Sequence, residues 1–538
     1  MHSIRITGPP GCGKTTALLS RVSEFIGRGA LPEETAFVSF SRAAIREATT
    51  RVAKDLPKDG ITNWKTLHAM AYRELGITRG ALMGPQDWND FAIANDYNWS
   101  MLARASSRPV EGQNDADRLL LAYHHGRAVL AASWEAFAET LGDQIVPGEL
   151  LALVGRLAAW KAEHQKIDFH DLLDRAIERR AVPRGVTHVL LDEAQDLTAG
   201  QWAYFQVLLE ENAPQELVIG CDPCQSIYSY MGCAPELVTS YPVDAEEFLR
   251  QSHRLPEQLC QYARAITAES IAFYGRQTDR DHITMGASWD KLVPKLEGNG
   301  TTFILCRANW IVANVCRDLA AAKIDYTAKH DDERQTHVRW ALGHLLSAHE
   351  SRHYKIRAVE LEVILRHLAS RGRLHMPQGY KSALADAATQ TPDAARDLTQ
   401  EPWWRAWQMA VDADEIASAF HPQFRSLVPR FVALAGARGA EQLLETPSVY
   451  VMTIHQAKGK ECDRTVLIPA LPRRVSESMV TFDEDSNAKA KAAEARLWYV
   501  AATRARNDLV IVDPYDPAFA NNLAYNLPPK PNAEEMLL

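Results

Sequence analysis

The stretch SIRITGPPGCGKTTALLSRV, residues 3 to 22, decides how the rest of the chain is read. Residues 3 to 7 form a short apolar run of strand type, and Gly8 to Thr15 spells G-x-x-x-x-G-K-T. The following TALLSRVSEFIGR repeats its apolar residues at three and four, the spacing of one helix face. Strand, glycine loop and helix in that order make an anion cradle. Glycines let the backbone curl so that successive N–H groups and the helix N-terminus face phosphates. Lys14 would neutralise β/γ charge, and the Thr15 hydroxyl suits Mg²⁺. Gly8, Pro9, Pro10, Gly11, Cys12, Gly13, Lys14, Thr15 and Thr16 are therefore the candidate nucleotide-binding residues, with ATP and Mg²⁺ as the expected cofactors.

Outward from this unit, AFVSF (36–40), THVLLDE (187–193) and ELVIGCD (216–222) are further apolar strands next to helical material. A second set resumes near residue 300 with TTFILCRAN, SVYVMTIH, DRTVLIP and DLVIVD. Alternating strands and helices imply parallel sheets covered on both faces. Residues 76–185 read as a helical, Trp/Ala/Leu-rich insertion without a clear strand, and 331–445 as a second helical and polar one. The expected organisation is a first core over 1–75 and 186–265, split by the insertion 76–185. A second core over 266–330 and 446–520 is split by 331–445, and a flexible tail covers 521–538. An apolar strand delivers Asp192 to its carboxyl end as a metal partner, and Glu193 follows as the group that activates an attacking water.

The 538 residues exceed what one hydrophobic core supports. The 46% hydrophobic and 24% charged composition is that of a globular protein, with no apolar run near the roughly 20 residues a membrane span needs. The amino terminus lacks a targeting pattern, so a cytoplasmic location and no membrane partner are expected. Eight dispersed cysteines argue for reduced thiols. Cys221, Cys224 and Cys233 begin with a C-x2-C spacing, but no second close pair of Cys or His follows, so they read as small buried thiols. The net charge of −9 decides little, because phosphate binding depends on local basic patches.

DEAQD (192–196), CDPCQSIYSYMG (221–232), SHRLP (252–256), VMTIHQAKGKE (451–461) and EARLWYVAATRAR (494–506) resemble, in order, the ATPase and DNA motifs of the UvrD/Rep/PcrA-type superfamily 1A helicases. The resemblance runs to about residue 515 and is weakest in the two insertions. It implies an α/β fold of two RecA-like P-loop NTPase cores with parallel sheets, each carrying a mainly helical insertion. It also implies an ATP-dependent helicase or translocase that moves 3′ to 5′ on single-stranded DNA and hydrolyses ATP between the cores.

Carried over by position, Gln225 senses the γ-phosphate, Arg254 and Arg504 are arginine fingers, and Glu461 contacts the ribose. Phe40, Arg42, Thr66, His68, Tyr228, Tyr230, Thr453, His455 and Lys458 face DNA. Tyr230 stands where the family usually has Trp, Met231 where it has Arg, and His253, near adenine, where it often has Tyr. Relatives carry a Gln-containing segment before the first strand that recognises adenine; its absence from this sequence implies relaxed adenine selectivity. The implied partners are single-stranded DNA and single-strand/duplex junctions, with a stimulating protein partner expected because both insertions look short.

The basic stretch Arg352, Lys355, Arg357, Arg366 and Arg371, interleaved with Glu360 and Glu362, reads as a solvated mixed-charge face or a duplex contact. Trp403, Trp404 and Trp407 read as core. Two other functions stay open: an RNA-directed relative, and a nucleic-acid sensor that uses ATP as a switch without strand separation.

Overall fold

Alternate residues of the central strands supply two separate apolar layers. Phe37, Leu190 and Val218 pack with Leu18, Val22 and Phe25 on one face, while Val38, Leu191 and Ile219 pack with Phe205 and Leu208 on the other. A strand buried on both faces reads as a continuous apolar run, which is why these strands were visible in the sequence. The structure, a computed structural model, describes residues 1–52, 61–99, 114–141, 145–267, 272–298, 300–328, 333–349, 351–369, 376–409, 412–472, 475 and 484–513. They divide into two units. The first holds Met1–Asp279 and Ala488–Thr503, and the second Arg280–Asn487 and the described residues 504–513.

In the first unit, six parallel strands run in the order β3-β2-β4-β5-β1-β6. They are β1 (His2–Thr7), β2 (Thr35–Ser39), β3 (Trp64–Lys65), β4 (His188–Asp192), β5 (Glu216–Cys221) and β6 (Ala245–Phe248). The helix Lys14–Gly27 follows the glycine loop and covers one face; Ala199–Asn212 covers the other. Strands β7 (Gln251–Pro256) and β8 (Tyr274–Arg276) form a separate parallel pair. The helical insertion keeps its own core, in which Phe91, Trp99, Tyr123 and Leu157 are buried.

The second unit repeats the architecture: six parallel strands in the order β11-β14-β10-β15-β16-β9. These are β9 (Ile283–Ala287), β10 (Thr302–Cys306), β11 (Tyr326–Ala328), β14 (Val449–Thr453), β15 (Cys462–Leu467) and β16 (Ala505–Val512). Two six-stranded parallel sheets of this kind are consistent with two RecA-like cores.

Its insertion differs from the sequence expectation of a polar stretch. It contains a large apolar cluster with Leu342, Leu361, Trp403, Trp404, Trp407 and Phe431, so the three tryptophans are core. It also carries an antiparallel pair, β12 (Lys355–Arg357) with β13 (Ala395–Asp397). Arg339 pins this insertion: its guanidinium donates to the Gln442 and Leu443 carbonyls at 2.5 and 2.7 Å and to Asp325 Oδ2 at 2.5 Å. On the basic stretch, Arg357 pairs with Glu360 at 2.8 Å and Arg366 with Glu362 at 2.5 Å, the pattern of a solvated face. Arg371 lies outside the described residues.

Candidate nucleotide site and nucleic-acid face

The glycine loop is shaped by backbone that only glycine tolerates. Gly11 has φ +77°, and a β-carbon there would stand 2.4 Å from Arg254 Cβ and 2.8 Å from Ser252 Oγ. That close approach docks the SHRLP segment on the loop: Ser252 Oγ donates to the Pro10 carbonyl at 2.8 Å, and His253 N to the Gly11 carbonyl at 2.9 Å. Lys14 is buried, and its Nζ donates to the Gly8 carbonyl at 2.5 Å, closing the loop on itself. Cys12 is buried among these groups, and burial pushes its thiol up to about 12, so it is inert packing. Thr16 is exposed.

Strand β4 ends at Asp192, whose Oδ2 accepts from Thr15 Oγ1 at 2.9 Å. Burial first, and the neighbouring Glu193 carboxylate second, raise the Asp192 pKa above the usual range despite Thr15 and Lys14. A buried carboxylate and a hydroxyl side by side, short of positive charge, are a hard-oxygen donor set that fits Mg²⁺. Glu193 itself has φ +54°, a left-handed conformation unusual outside glycine. Strain of this kind is kept where the surroundings over-determine it, often at functional positions.

From Glu193 a bonded path continues. Gln195 Nε2 donates to Glu193 Oε2 at 2.5 Å, and Gln195 Oε1 accepts from Asp222 N at 3.0 Å. Asp222 Oδ2 in turn accepts from Gln225 Nε2 at 2.6 Å. Tyr499 OH, on the helix Glu484–Ala502, reaches the same oxygen at 3.5 Å, and Arg254 donates to the Thr503 carbonyl at 3.4 Å. Gln195, Asp222 and Tyr499 were not singled out from sequence, although all three lie inside the quoted motifs.

Three residues beyond Gln225 an aromatic run begins. Tyr228 stacks on Phe40 with centroids 5.6 Å apart and planes at 25°, and Tyr230, 42% exposed, meets Tyr228 edge-on at 6.4 Å. Phe40 is only partly buried, so it joins this run rather than the core alone. Arg42 is exposed at the start of the helix Arg42–Val52. Thr66 caps the helix Leu67–Glu74, accepting from Ala69 N at 3.3 Å, which leaves its hydroxyl proton to donate. His68 on that helix bonds Gln201 at 3.4 Å, and burial pulls its imidazole down to about 4, so it is neutral. Beside it, edge-on at 5.6 Å, lies the exposed ring of Phe169, an aromatic with no sequence signal of its own.

In the second unit, Thr453 begins the short helix Ile454–Ala457, its N–H donating to Gln456 Oε1 at 3.0 Å, and His455 and Lys458 follow, partly exposed. Glu461 pairs with Arg506 at 3.0 Å. Arg504 is buried and donates to the Lys460 carbonyl at 3.2 Å. The nucleotide candidates are thus distributed, with Glu461 and Arg504 in the second unit and the others in the first.

Residues 2–245 match the UvrD/REP helicase N-terminal domain, and residues 412–513 match the UvrD-like helicase C-terminal domain. The chain belongs to the UvrD/Rep helicases. This UvrD/Rep-family chain is 24% identical over 284 residues to DNA helicase IV of Escherichia coli (strain K12), a match covering 45% of this chain and 40% of that protein. The match therefore spans less than half the length of that relative. A solved arterivirus helicase, nonstructural protein 10, aligns over 97% of this chain and 62% of its own, with 12% identity and a TM-score of 0.33. No helix among the described residues of this family member is long and apolar enough to cross a membrane.

Proposed function

We propose that the chain is an ATP-dependent DNA helicase or translocase that moves 3′ to 5′ on single-stranded DNA. One observation carries the reading: the unbroken path Thr15, Asp192, Glu193, Gln195, Asp222, Gln225, which runs from the phosphate loop to the segment holding Tyr228 and Tyr230. A change at the γ-phosphate that moves Gln225 would be felt three residues later by the aromatic run. In this reading the loop N–H groups and Lys14 hold the phosphates, and Glu193 orients and deprotonates the attacking water. Arg254 and Arg504 stabilise charge in the transition state, His253 lies by adenine, and Glu461 holds the ribose. Thr15 and Asp192 would hold Mg²⁺, which supplies charge neutralisation on the phosphates. Phe40, Tyr228 and Tyr230 stack on bases of any sequence, while Arg42, Thr66, His68, Thr453, His455 and Lys458 contact the strand. Direction is carried over from the family resemblance.

The test is steady-state ATP hydrolysis with and without single-stranded DNA, with Lys14→Ala as a control that loses turnover without unfolding. Strong stimulation by DNA, followed by unwinding of 3′-tailed but not 5′-tailed duplexes, is the expected result. A rate indifferent to DNA would overturn the motor and favour an ATP switch; stimulation by RNA alone would overturn the DNA assignment.

A further inference from the structure

The turn that carries Tyr230 is held from outside the motif. Its own hydrogen bonds use the Tyr228 and Ser229 carbonyls, which accept from Met231 N at 2.8 Å and Gly232 N at 2.9 Å. The Tyr230 carbonyl instead faces His125 Nδ1 at 3.0 Å. A carbonyl only accepts, so Nδ1 carries the proton. His125 belongs to the helix Asp115–Ala128 of the insertion, and its ring is fixed by stacking on Phe137, centroids 5.7 Å apart at 19°.

The same helix end seats the turn sterically. Gly232 has φ +82°, and a β-carbon there would stand 2.7 Å from Ala128 Cβ. The helix is anchored in its turn by a buried network. Tyr123 OH donates to Asp168 Oδ2 at 2.5 Å, Lys161 Nζ to the same oxygen at 2.9 Å, and Arg127 to Asp171 at 3.1 Å. One helix therefore contacts the Tyr230 turn on one side and, on the other, the helix Phe169–Glu178 whose first residue packs against His68.

We propose that His125 is a positioning residue for the nucleic-acid face: by donating to the Tyr230 carbonyl it sets the angle at which Tyr230 meets a base. This rests on the reading of the Phe40–Tyr228–Tyr230 run as the strand-binding surface. Without the bond the turn keeps its internal hydrogen bonds and its close seat on Ala128 but loses the hydrogen bond from His125, so the bound geometry is populated less and apparent affinity falls. The Gln225–Asp222 bond is made by residues that precede the turn and does not involve His125, so turnover without DNA is expected to keep its rate.

The experiment titrates ATP turnover of the full chain with oligo-dT. His125→Ala is expected to raise the half-saturating oligo-dT concentration about five-fold, the worth of one hydrogen bond, with DNA-free and maximal turnover unchanged. His125→Asn, whose amide nitrogen takes the Nδ1 place, restores the wild-type value. His125→Gln, whose amide extends past it, does not, and this pair carries the test if the alanine variant unfolds. Tyr230→Ala is the reference. If it leaves the titration unchanged, the reading of the surface falls and this inference with it. If it shifts the titration while His125→Ala does not, the positioning role alone is overturned. His125→Asn behaving like His125→Ala would assign the effect to lost packing on Phe137 and overturn the hydrogen-bond role.

Discussion

Glu193 combines a left-handed backbone with the role proposed for it above, activating the attacking water. Glu193→Gln keeps the shape and removes the base, so turnover is expected to fall at least about 100-fold with nucleotide affinity retained, as read by single-turnover kinetics and binding of a labelled nucleotide. Glu193→Gly also loses turnover, but it removes a β-carbon that costs about 1 kcal/mol at this φ; its thermal midpoint should lie at or above that of Glu193→Gln. Gly11→Ala tests the opposite constraint. With φ +77° and 2.4 Å to Arg254 Cβ, it is expected to destabilise by about 1–3 kcal/mol in chemical denaturation and to abolish nucleotide binding. These residues were legible because glycine spacing and an acid pair after an apolar run are local signals. His125, Asp168 and Phe169 were not, since their partners lie 105, 45 and about 100 residues away in sequence and nothing local announces them.

Among the elements, the helix Phe169–Glu178 depends most on charge. Burial opposes ionisation of Asp168, yet the Lys161 and Arg127 cations and the Tyr123 hydrogen bond overcome it and hold the carboxyl far below the usual range. Lys161→Met would strand that buried carboxylate, at a cost of about 3–5 kcal/mol measurable by urea denaturation. Three histidines near this helix behave differently: burial pulls His68 and His124 down to about 4 and His170 to about 3. Because their folded values lie below the unfolded one near 6.5, their contribution is fully present above pH 6.5 and lost as pH falls toward 4. The urea midpoint should therefore drop over that interval, and His170→Gln should flatten the slope. The sequence showed the central strands of both sheets as apolar runs. It did not show β6 or β9, whose side chains alternate with solvent, β3 or β11, which are only two and three residues long, nor the β12–β13 pair, three residues each. The second insertion looked polar because its apolar residues are spread over many short helices and converge only in space.

At the scale of the molecule, a net charge of −9 means that the strand contacts proposed above would rest on local basic groups, Arg42 in the first unit and Lys458 in the second. Few phosphate contacts imply a shallow salt dependence. A log–log slope of about −2 for oligo-dT half-saturation is expected, corresponding to about three contacts, and a slope beyond about −6 would require a basic surface not identified above. Arg504→Ala, in the second unit, is expected to lower maximal turnover by about 10³-fold with the thermal midpoint of the first unit preserved, because in the role proposed above the arginine would act on the transition state and not on that unit's fold.

The chain's route has one further consequence. The segment Ala488–Thr503, which brings Trp498 and Tyr499 into the first unit, is flanked on both sides by chain of the second. No single cut in the gene separates two self-sufficient halves. A product ending at Asp279 lacks the helix that reaches Asp222 and Arg254, and its complement carries that helix with nowhere to bury two aromatic rings. Splitting the coding region for complementation assays, or trimming it for crystallisation, would have to graft Ala488–Thr503 back onto the first portion through an added linker.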